Sequence, residues 1–458
     1  MKIEEIEQVY FIGIGGIGMS ALARYFNSRN IFCCGYDKTE TELTQNLQAE
    51  FIDIHYEDNL GLIPERIFDP AKTLIIYTPA VPADHSELVY FQTKGYQVIK
   101  RAEALGIISR GSFCIAVAGT HGKTTTSSMI AHLCKHAGLP ITAFLGGITT
   151  NYGTNYIETK NSTITVVEAD EYDRSFLQLN PDIAIITSAE ADHLDIYDNA
   201  DSVRESFEQF TEKIKESGKL IMRKGINLTP AIEPIYEYGV DVEGLSARNV
   251  FVKNGKFCYD VFNGDVFLGN FLLGVPGRHN IENSLAAIGV GLILNIPLEQ
   301  IKEALDGFKG VKRRFETIVS TNTTTYVDDY AHHPTEIAAC IAAARELFPG
   351  KQITGIFQPH LYSRTRDFAN EFAQSLEKLD SLILLPIYPA RELPIEGVTS
   401  TIILDKANIN NKVLINKQEV LSYLNDKLSN IGVLITMGAG DIDGLIKSIK
   451  NLIQLHNN

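Results

Sequence analysis

The chain has 458 residues, about three times a typical domain of ~150 residues, so two or three domains with a large apolar core are expected and a disulfide-stapled mini-protein is excluded. Hydrophobic residues make up 45% and charged residues 21%, the composition of an ordinary globular chain rather than a disordered, collagenous or membrane one. Lys and Arg number 41 against 56 Asp and Glu, a net charge of −15, which argues against nucleic acid as a partner and leaves any anionic ligand to be held locally, by backbone amides and a few placed cations.

The chain opens MKIEEIEQVYFIGIGG, one Lys against three Glu before its apolar stretch, opposite to the cationic start of a secretory signal. No run approaches the ~18 to 20 apolar residues of a membrane span. The six cysteines (Cys33, Cys34, Cys114, Cys134, Cys258, Cys340) form no CxxC pair, and four lie inside apolar runs, as reduced and packed thiols do. A cytoplasmic location without membrane insertion is the expectation.

The first segment, 1–107, begins with the strand VYFIGIG, the helix GMSALARYFNSRN and the strand FCCGYD, with the strand TLIIYTP later. Gly13, Gly15 and Gly18 make a GxGxxG between strand and helix, and Asp37 ends the next strand 19 residues beyond Gly18. By spacing this is a dinucleotide fingerprint, with a carboxylate for a ribose hydroxyl. Amides at a helix N-terminus, here around Gly13, Gly15, Gly16, Ile17 and Gly18, bind any diphosphate, so a UDP-sugar suits the turn as well as NAD.

The second segment, 108–311, opens with the strand FCIAVAGT and the turn AVAGTHGKTTTSS. Gly119, Thr120, His121, Gly122, Lys123, Thr124 and Thr125 enter a helix there. Amides can wrap phosphates, Lys123 can reach the terminal ones, and the Thr124 hydroxyl can ligate Mg²⁺. Val117 stands where the full GxxxxGK[ST] pattern has its first glycine. The strand TITVVEAD then ends in Glu168, Asp170, Glu171 and Asp173, where a nucleotide-binding sheet needs a carboxylate for its metal. A third strand, DIAIITSA, leads to Asp192, His193, Leu194 and Asp195, and His193 is read as a metal or phosphate contact at a strand's carboxyl end. Beyond Lys224 short strands follow, with hairpin signals at Asn254-Gly255 and Asn263-Gly264.

The third segment, 312–458, alternates again: strand TTTYVDDYA, helix PTEIAACIAAARELF, strand QITGIFQP, helix TRDFANEFAQSLEKL, strand SLILLPIYP, strand VLITMGAG and helix IDGLIKSIKNLI. Three α/β domains in series are expected.

With GTHGKTT, EADEYD and DHLD in that order, the chain resembles the Mur ligases, ATP-dependent amide-forming enzymes of peptidoglycan precursor synthesis. The resemblance implies an N-terminal Rossmann-like domain for the UDP sugar, a central P-loop-type ATPase domain, and a C-terminal Rossmann-like domain for the amino acid and closure. RHNIENSLAA resembles the family's adenine-side motif through Asn280 and Asn283. GVKRRFE supplies Arg313 and Arg314, and DDYAHHPTE supplies Asp329, His332 and His333. GIGGIGMS, QPHLYSRTRDF and TMGAGDI are most similar to the members that join L-alanine to UDP-N-acetylmuramate. The resemblance places His360 on the UDP sugar and Arg364 among the catalytic groups. That branch commonly has an arginine directly after QPH; this chain has Leu361, leaving Arg364 and Arg366 in the stretch. No lysine matches the carbamoylated position of some sister ligases.

The chemistry so implied is attack of the lactyl carboxylate on the γ-phosphate of ATP, giving an acyl phosphate that the amine of L-alanine then attacks, with release of ADP and phosphate. Lys123 and Mg²⁺, the latter on Thr124, Glu168 and His193, would neutralise the transferring phosphoryl group. His332 and His333 could be read as zinc ligands, but adjacent histidines without a third spaced ligand make a poor site, and substrate contact is preferred for at least one. Rival readings are a recycling ligase attaching a tripeptide to the same sugar, and an NAD-dependent oxidoreductase that leaves GTHGKTT unexplained. The expected assembly is a monomer or weak homodimer.

Overall fold

The strands at the heart of the sheets are almost wholly apolar: QVYFI over Gln8–Ile12, FCIAVA over Phe113–Ala118 and VLITM over Val433–Met437. Such runs suit strands covered on both faces, and the helices that cover them arise from crossovers between parallel strands. The structure, a computed structural model, describes residues 6–190, 199–390 and 392–456, and it bears out an α/β architecture with three sheets.

The first sheet is wholly parallel, in the order Asp53–His55, Phe32–Tyr36, Gln8–Ile12, Thr73–Tyr77, Gln97–Lys100. Gln8 is level with Phe32 on one side and Thr73 on the other. The strand order therefore reverses beside Gln8–Ile12, and the first glycine turn leaves that same strand, the usual position of a ligand crevice in an open sheet. The second sheet has ten strands. Phe113–Ala118 runs parallel between Ile183–Ile186 and Ile164–Ala169, and Ile141–Thr149 with Thr154–Glu158 forms an antiparallel edge. Lys219–Arg223, Tyr236–Val240, Leu245–Lys253, Lys256–Asn263 and Val266–Leu273 continue the other side. The third sheet runs Glu316–Ser320, Thr325–Asp329, Val433–Met437, Ile353–Phe357, Ser381–Leu384, Asn411–Leu414, antiparallel only at its first pair.

The chain divides into two compact units: 1–247 with 261–268 and 282–305, and 248–260 with 269–281 and 306–458. In the first unit, one apolar core joins Phe11, Met19 and Phe26 to Phe144, Val167 and Phe176. The helix Ile17–Asn27 is sealed to the strand Thr154–Glu158 by buried polar bonds: Arg24 donates to Asn155 Oδ1, and Asn155 Nδ2 donates to Ser20 Oγ at 3.0 Å. In the second unit the pleat divides two cores, Val327, Phe357 and Phe372 on one face of the sheet and Tyr326, Ile356 and Ile449 on the other.

Two local expectations change. The stretch TRDFANEFAQSLEKL forms two helices, Tyr362–Asp367 and Ala369–Leu376, broken at Phe368 (φ −114°, ψ 21°), whose ring packs on His333 with centroids 5.1 Å apart. The second hairpin turns one residue later than its Asn-Gly signal: Asn263 stays in the strand, and Gly264, at φ 60°, begins the turn. The Gly264 amide donates to Gly244 O at 2.9 Å, which fixes that register. The first hairpin turns where expected, with Asn254 and Gly255 both at positive φ. All six cysteines are buried, and no helix among the described residues is long and apolar enough to cross a membrane.

Candidate active site

The turn after Phe113–Ala118 opens the helix Lys123–His136. Gly119 (φ 143°) and Gly122 (φ 83°) hold conformations that side chains rarely adopt. Both are also hemmed in: a Cβ on Gly119 would lie 2.0 Å from Thr187 Oγ1, and one on Gly122 2.6 Å from Asn283 Oδ1. Asn283 thus stands against the turn. The end of the strand Ile183–Ile186 props the other side: Thr120 Oγ1 lies 2.9 Å from Ser188 Oγ, and the His121 amide donates to the same oxygen at 2.7 Å. Thr124 and Thr125 are buried in the helix's first turn.

The Lys123 ammonium donates to Gly119 O at 2.6 Å and to Glu171 Oε1 at 2.9 Å, with Glu171 Oε2 at 2.7 Å. Glu171 is 1% exposed. Burial works against the ammonium, but the carboxylates of Glu171, Asp170 and Glu168 outweigh it and hold the pKa above the ordinary lysine value. The acids of EADEYD take separate tasks: Glu168 accepts from the Gly146 amide at 3.1 Å, Asp170 from Arg101 at 3.0 Å, Glu171 from Lys123, and Asp173 from Lys100 at 2.9 Å. His193, with its neighbours Asp192 and Asp195, lies outside the described residues.

At the first turn, the Gly13 and Ile14 amides donate to Tyr36 O at 2.8 and 3.0 Å. The Gly15 amide donates to Asp37 Oδ2 at 2.7 Å, so the carboxylate expected to face a ribose is bonded to the turn itself. Gly13 needs its φ of 88°, and Gly16 is the N-cap of the helix Ile17–Asn27.

The other expected site residues belong to the second unit. Asn280 donates to Pro276 O at 2.6 Å. Arg313 is bound into the third sheet, its Nε 3.1 Å from Asp328 Oδ2 and its Nη2 donating to Gly438 O at 2.6 Å, and Arg314 lies 3.7 Å from Glu336. Asp329 accepts the amides of Phe315 and Ala331, each at 2.7 Å, and burial lifts its pKa to about 6 against the pull of Arg314 and those amides.

His332 and His360 come together, ring centroids 6.1 Å apart, with Tyr388 stacked on His360 at 5.8 Å. Burial is the main cause that brings both imidazoles to about 4, and the nearby Arg364 charge adds to it. Nδ1 of His332 lies 3.1 Å from Tyr330 O and 3.2 Å from Glu336 Oε2. Both are acceptors, so the ring hydrogen belongs on Nδ1 and Nε2 is the basic nitrogen. His333 turns elsewhere: it is the N-cap of the helix Pro334–Leu347, its Nδ1 accepting from the Thr335 amide at 3.4 Å. Arg366 pairs with Asp367 at 2.7 Å, leaving Arg364 as the arginine of this stretch that acts on the histidines. Leu361 sits at φ 70°, ψ 139°, strained for a side chain that branches beyond Cβ.

Family models for the Mur ligase catalytic, middle and glutamate ligase domains match residues 8–112, 117–291 and 313–440. The chain belongs to the Mur ligase family. It is 48% identical to a UDP-N-acetylmuramate–L-alanine ligase of Flavobacterium johnsoniae over 99% of each chain. A solved UDP-N-acetylmuramate–alanine ligase of Thermotoga maritima matches with a TM-score of 0.85 and 29% identity, covering 98% of this chain and 99% of that one. A murein peptide ligase of Psychrobacter arcticus shares the fold, with a TM-score of 0.68 at 21% identity over 98% of each chain.

For this Mur ligase the structure adds one partnership and two residues to what the motifs offered. Glu171 stood within EADEYD, and only the fold makes it the partner of Lys123. Ser188 follows a strand without any motif of its own. Arg101, 64 residues beyond Asp37 in the chain, carried no local signal.

Proposed function

We propose that this Mur ligase is a cytoplasmic enzyme, a monomer or weak homodimer, that joins L-alanine to the lactyl carboxylate of UDP-N-acetylmuramate with ATP, through an acyl phosphate, releasing ADP and phosphate. The observation that carries the reading is the presence of two phosphate-type turns in one compact unit, linked by Arg101, which lies against Gly18 of the first and donates to Asp170, next in the chain to the Glu171 that holds Lys123 of the second. The turn at 119–122 would receive the ATP phosphates, with Lys123 exchanging its bonds to Gly119 O and Glu171 for phosphate oxygens. Because neighbouring carboxylates hold it charged, it needs no proton gain to do so.

Residues 1–107, 108–311 and 312–458 would serve the sugar nucleotide, ATP and the amino acid respectively. Thr124, Glu168 and His193 would hold Mg²⁺, and hydroxyl and carboxylate oxygens are the hard donors that ion takes. Gly146 fits this use, since a Cβ there would lie 2.3 Å from Glu168 Oε2 and close the space beside the carboxylate. Bound there, the ion would neutralise charge on phosphate oxygens. In the second unit, His332 Nε2, His360 and Arg364 form a neutral-base and guanidinium cluster suited to an amino acid's amine and carboxylate.

Phosphate release with UDP-N-acetylmuramate, ATP, Mg²⁺ and single amino acids tests the reading. L-Alanine should be turned over first, glycine and L-serine more slowly, and D-glutamate and the tripeptide not at all. One buried methyl is worth about 1 to 3 kcal/mol, so glycine is disfavoured without being excluded. Preference for the tripeptide would overturn the assignment.

A further inference from the structure

The third glycine of the GxGxxG turn does something other than let a helix pack closely on a strand. A Cβ built on Gly18 would find its three nearest neighbours in one side chain, Arg101: Nη1 at 2.3 Å, Cδ at 3.1 Å and Cζ at 3.2 Å. Arg101 opens the helix Arg101–Arg110. Its Nη2 donates to Asp170 Oδ2 at 3.0 Å. The guanidinium therefore lies across the first turn of the helix Ile17–Asn27, with one nitrogen fixed by an acid from the ATP-side strand end.

Beside it is a cavity of about 90 Å³ whose walls include Gly18, Arg101, Phe144, Gly146, Glu168 and Asp170. That space has room for a carboxylate or a single phosphate group. Among the described residues lining it, Arg101 is the one cation. A partly exposed Arg–Asp pair contributes little by itself, and the guanidinium lies close enough to the helix that a side chain at position 18 would displace it. Gly18 of the first turn walls this small space together with Glu168 and Asp170, two of the acids whose charge acts on Lys123 of the second.

We infer that Arg101 is a substrate-positioning residue, its guanidinium receiving an anionic oxygen of the sugar nucleotide while Asp170 sets its orientation. The inference rests on the sugar-nucleotide reading of the first turn. The anionic oxygen belongs either to the diphosphate or to the carboxylate that is to be activated. Gly18 is the space that lets the guanidinium reach it.

Calorimetric titration of the full chain with UDP-N-acetylmuramate, UDP and ATP tests this. Arg101→Ala and Gly18→Ala should each weaken UDP-N-acetylmuramate by about tenfold or more, the loss of one charge-assisted contact, and leave ATP unchanged. The double variant should bind no more weakly than Arg101→Ala alone, because Gly18→Ala acts only by displacing that side chain. A parallel loss for UDP assigns the contact to the diphosphate, and intact UDP binding assigns it to the carboxylate. Unchanged sugar-nucleotide binding, an equal loss for ATP, or additive losses in the double variant would overturn the inference. Should Arg101→Ala not fold, Gly18→Ala carries the test, since only the end of a flexible side chain has to move. A wild type that binds no UDP-N-acetylmuramate sinks the functional reading and this inference together, whereas normal wild-type binding with unaffected variants sinks this inference alone.

Discussion

The two glycine turns look alike on paper and are built for different reasons. At 119–122 both glycines are required by their own backbone, with φ of 143° and 83°, as Gly13 alone is in the first turn, and the cation, Lys123, is part of the motif. At 13–18 the turn is held by Tyr36 O and Asp37, and its cation, Arg101, comes from a distant helix that Gly18 leaves room for. A turn carrying its own cation announces its chemistry in sequence, while one that borrows its cation shows only a shape compatible with several diphosphates.

The largest effect is expected where the turn carries its own charge. Lys123→Ala should lower kcat by about a hundred- to a thousandfold, the scale of a lost transition-state clamp, with the fold intact by circular dichroism. Near-normal turnover would show that the second turn is no more specific than the first. At the first turn, Gly15→Val would bring a Cβ within 2.7 Å of Thr44 Cγ2 and 2.8 Å of Asp37 Oδ2. It should raise KM for the sugar nucleotide about tenfold, with KM for ATP little changed. Equal rises in both would mean that the two turns do not serve separate ligands.

The same contrast explains what was legible. The central strands, the helices behind both turns and the second glycine turn follow from apolar runs and from residues adjacent in sequence. The Lys123–Glu171 pair was half visible, since both residues lay in noted motifs but nothing local set them facing. Arg101 was invisible because a single arginine at a helix start has no pattern. The helix break at Phe368 was missed because a tertiary contact with His333 decides it. The divergence of His332 and His333 is hidden in the string HH, since neighbours along the chain point to different places once a helix begins between them.

The two units should also differ in acid. His279, His332 and His360 of the second unit are each brought by burial to about 4, below the ordinary ~6.5 of histidine. Between those values the unfolded chain binds more protons than the folded one, so their contribution is full above about pH 6.5 and is lost as pH falls toward 4. Asp329, raised to about 6, opposes them in part. Asp328 of the second unit is raised by burial in the same sense, while in the first unit burial lowers His132 to about 4 and lowers His55 and His85 as well, opposed by Glu87, which it raises to about 7. Urea denaturation followed by hydrogen exchange at pH 7 and pH 5 should show the second unit losing more protection on acidification. Parallel loss in both would refute this account.

The smallest effect separates the adjacent histidines. His332 lies among His360, Glu336 and Arg364, whereas His333 caps the helix Pro334–Leu347 through Nδ1 and rests on Phe368. Removing an N-cap costs roughly 1 kcal/mol, so His333→Ala should lower the unfolding free energy measured in urea by about that amount with KM for L-alanine unchanged. His333→Asn restores a capping oxygen and should recover most of the stability. His332→Asn removes the basic Nε2 from the cluster and should instead raise KM for L-alanine at nearly constant stability. If His333→Asn restores stability while activity remains lost, His333 touches substrate and the division drawn between the two rings is wrong.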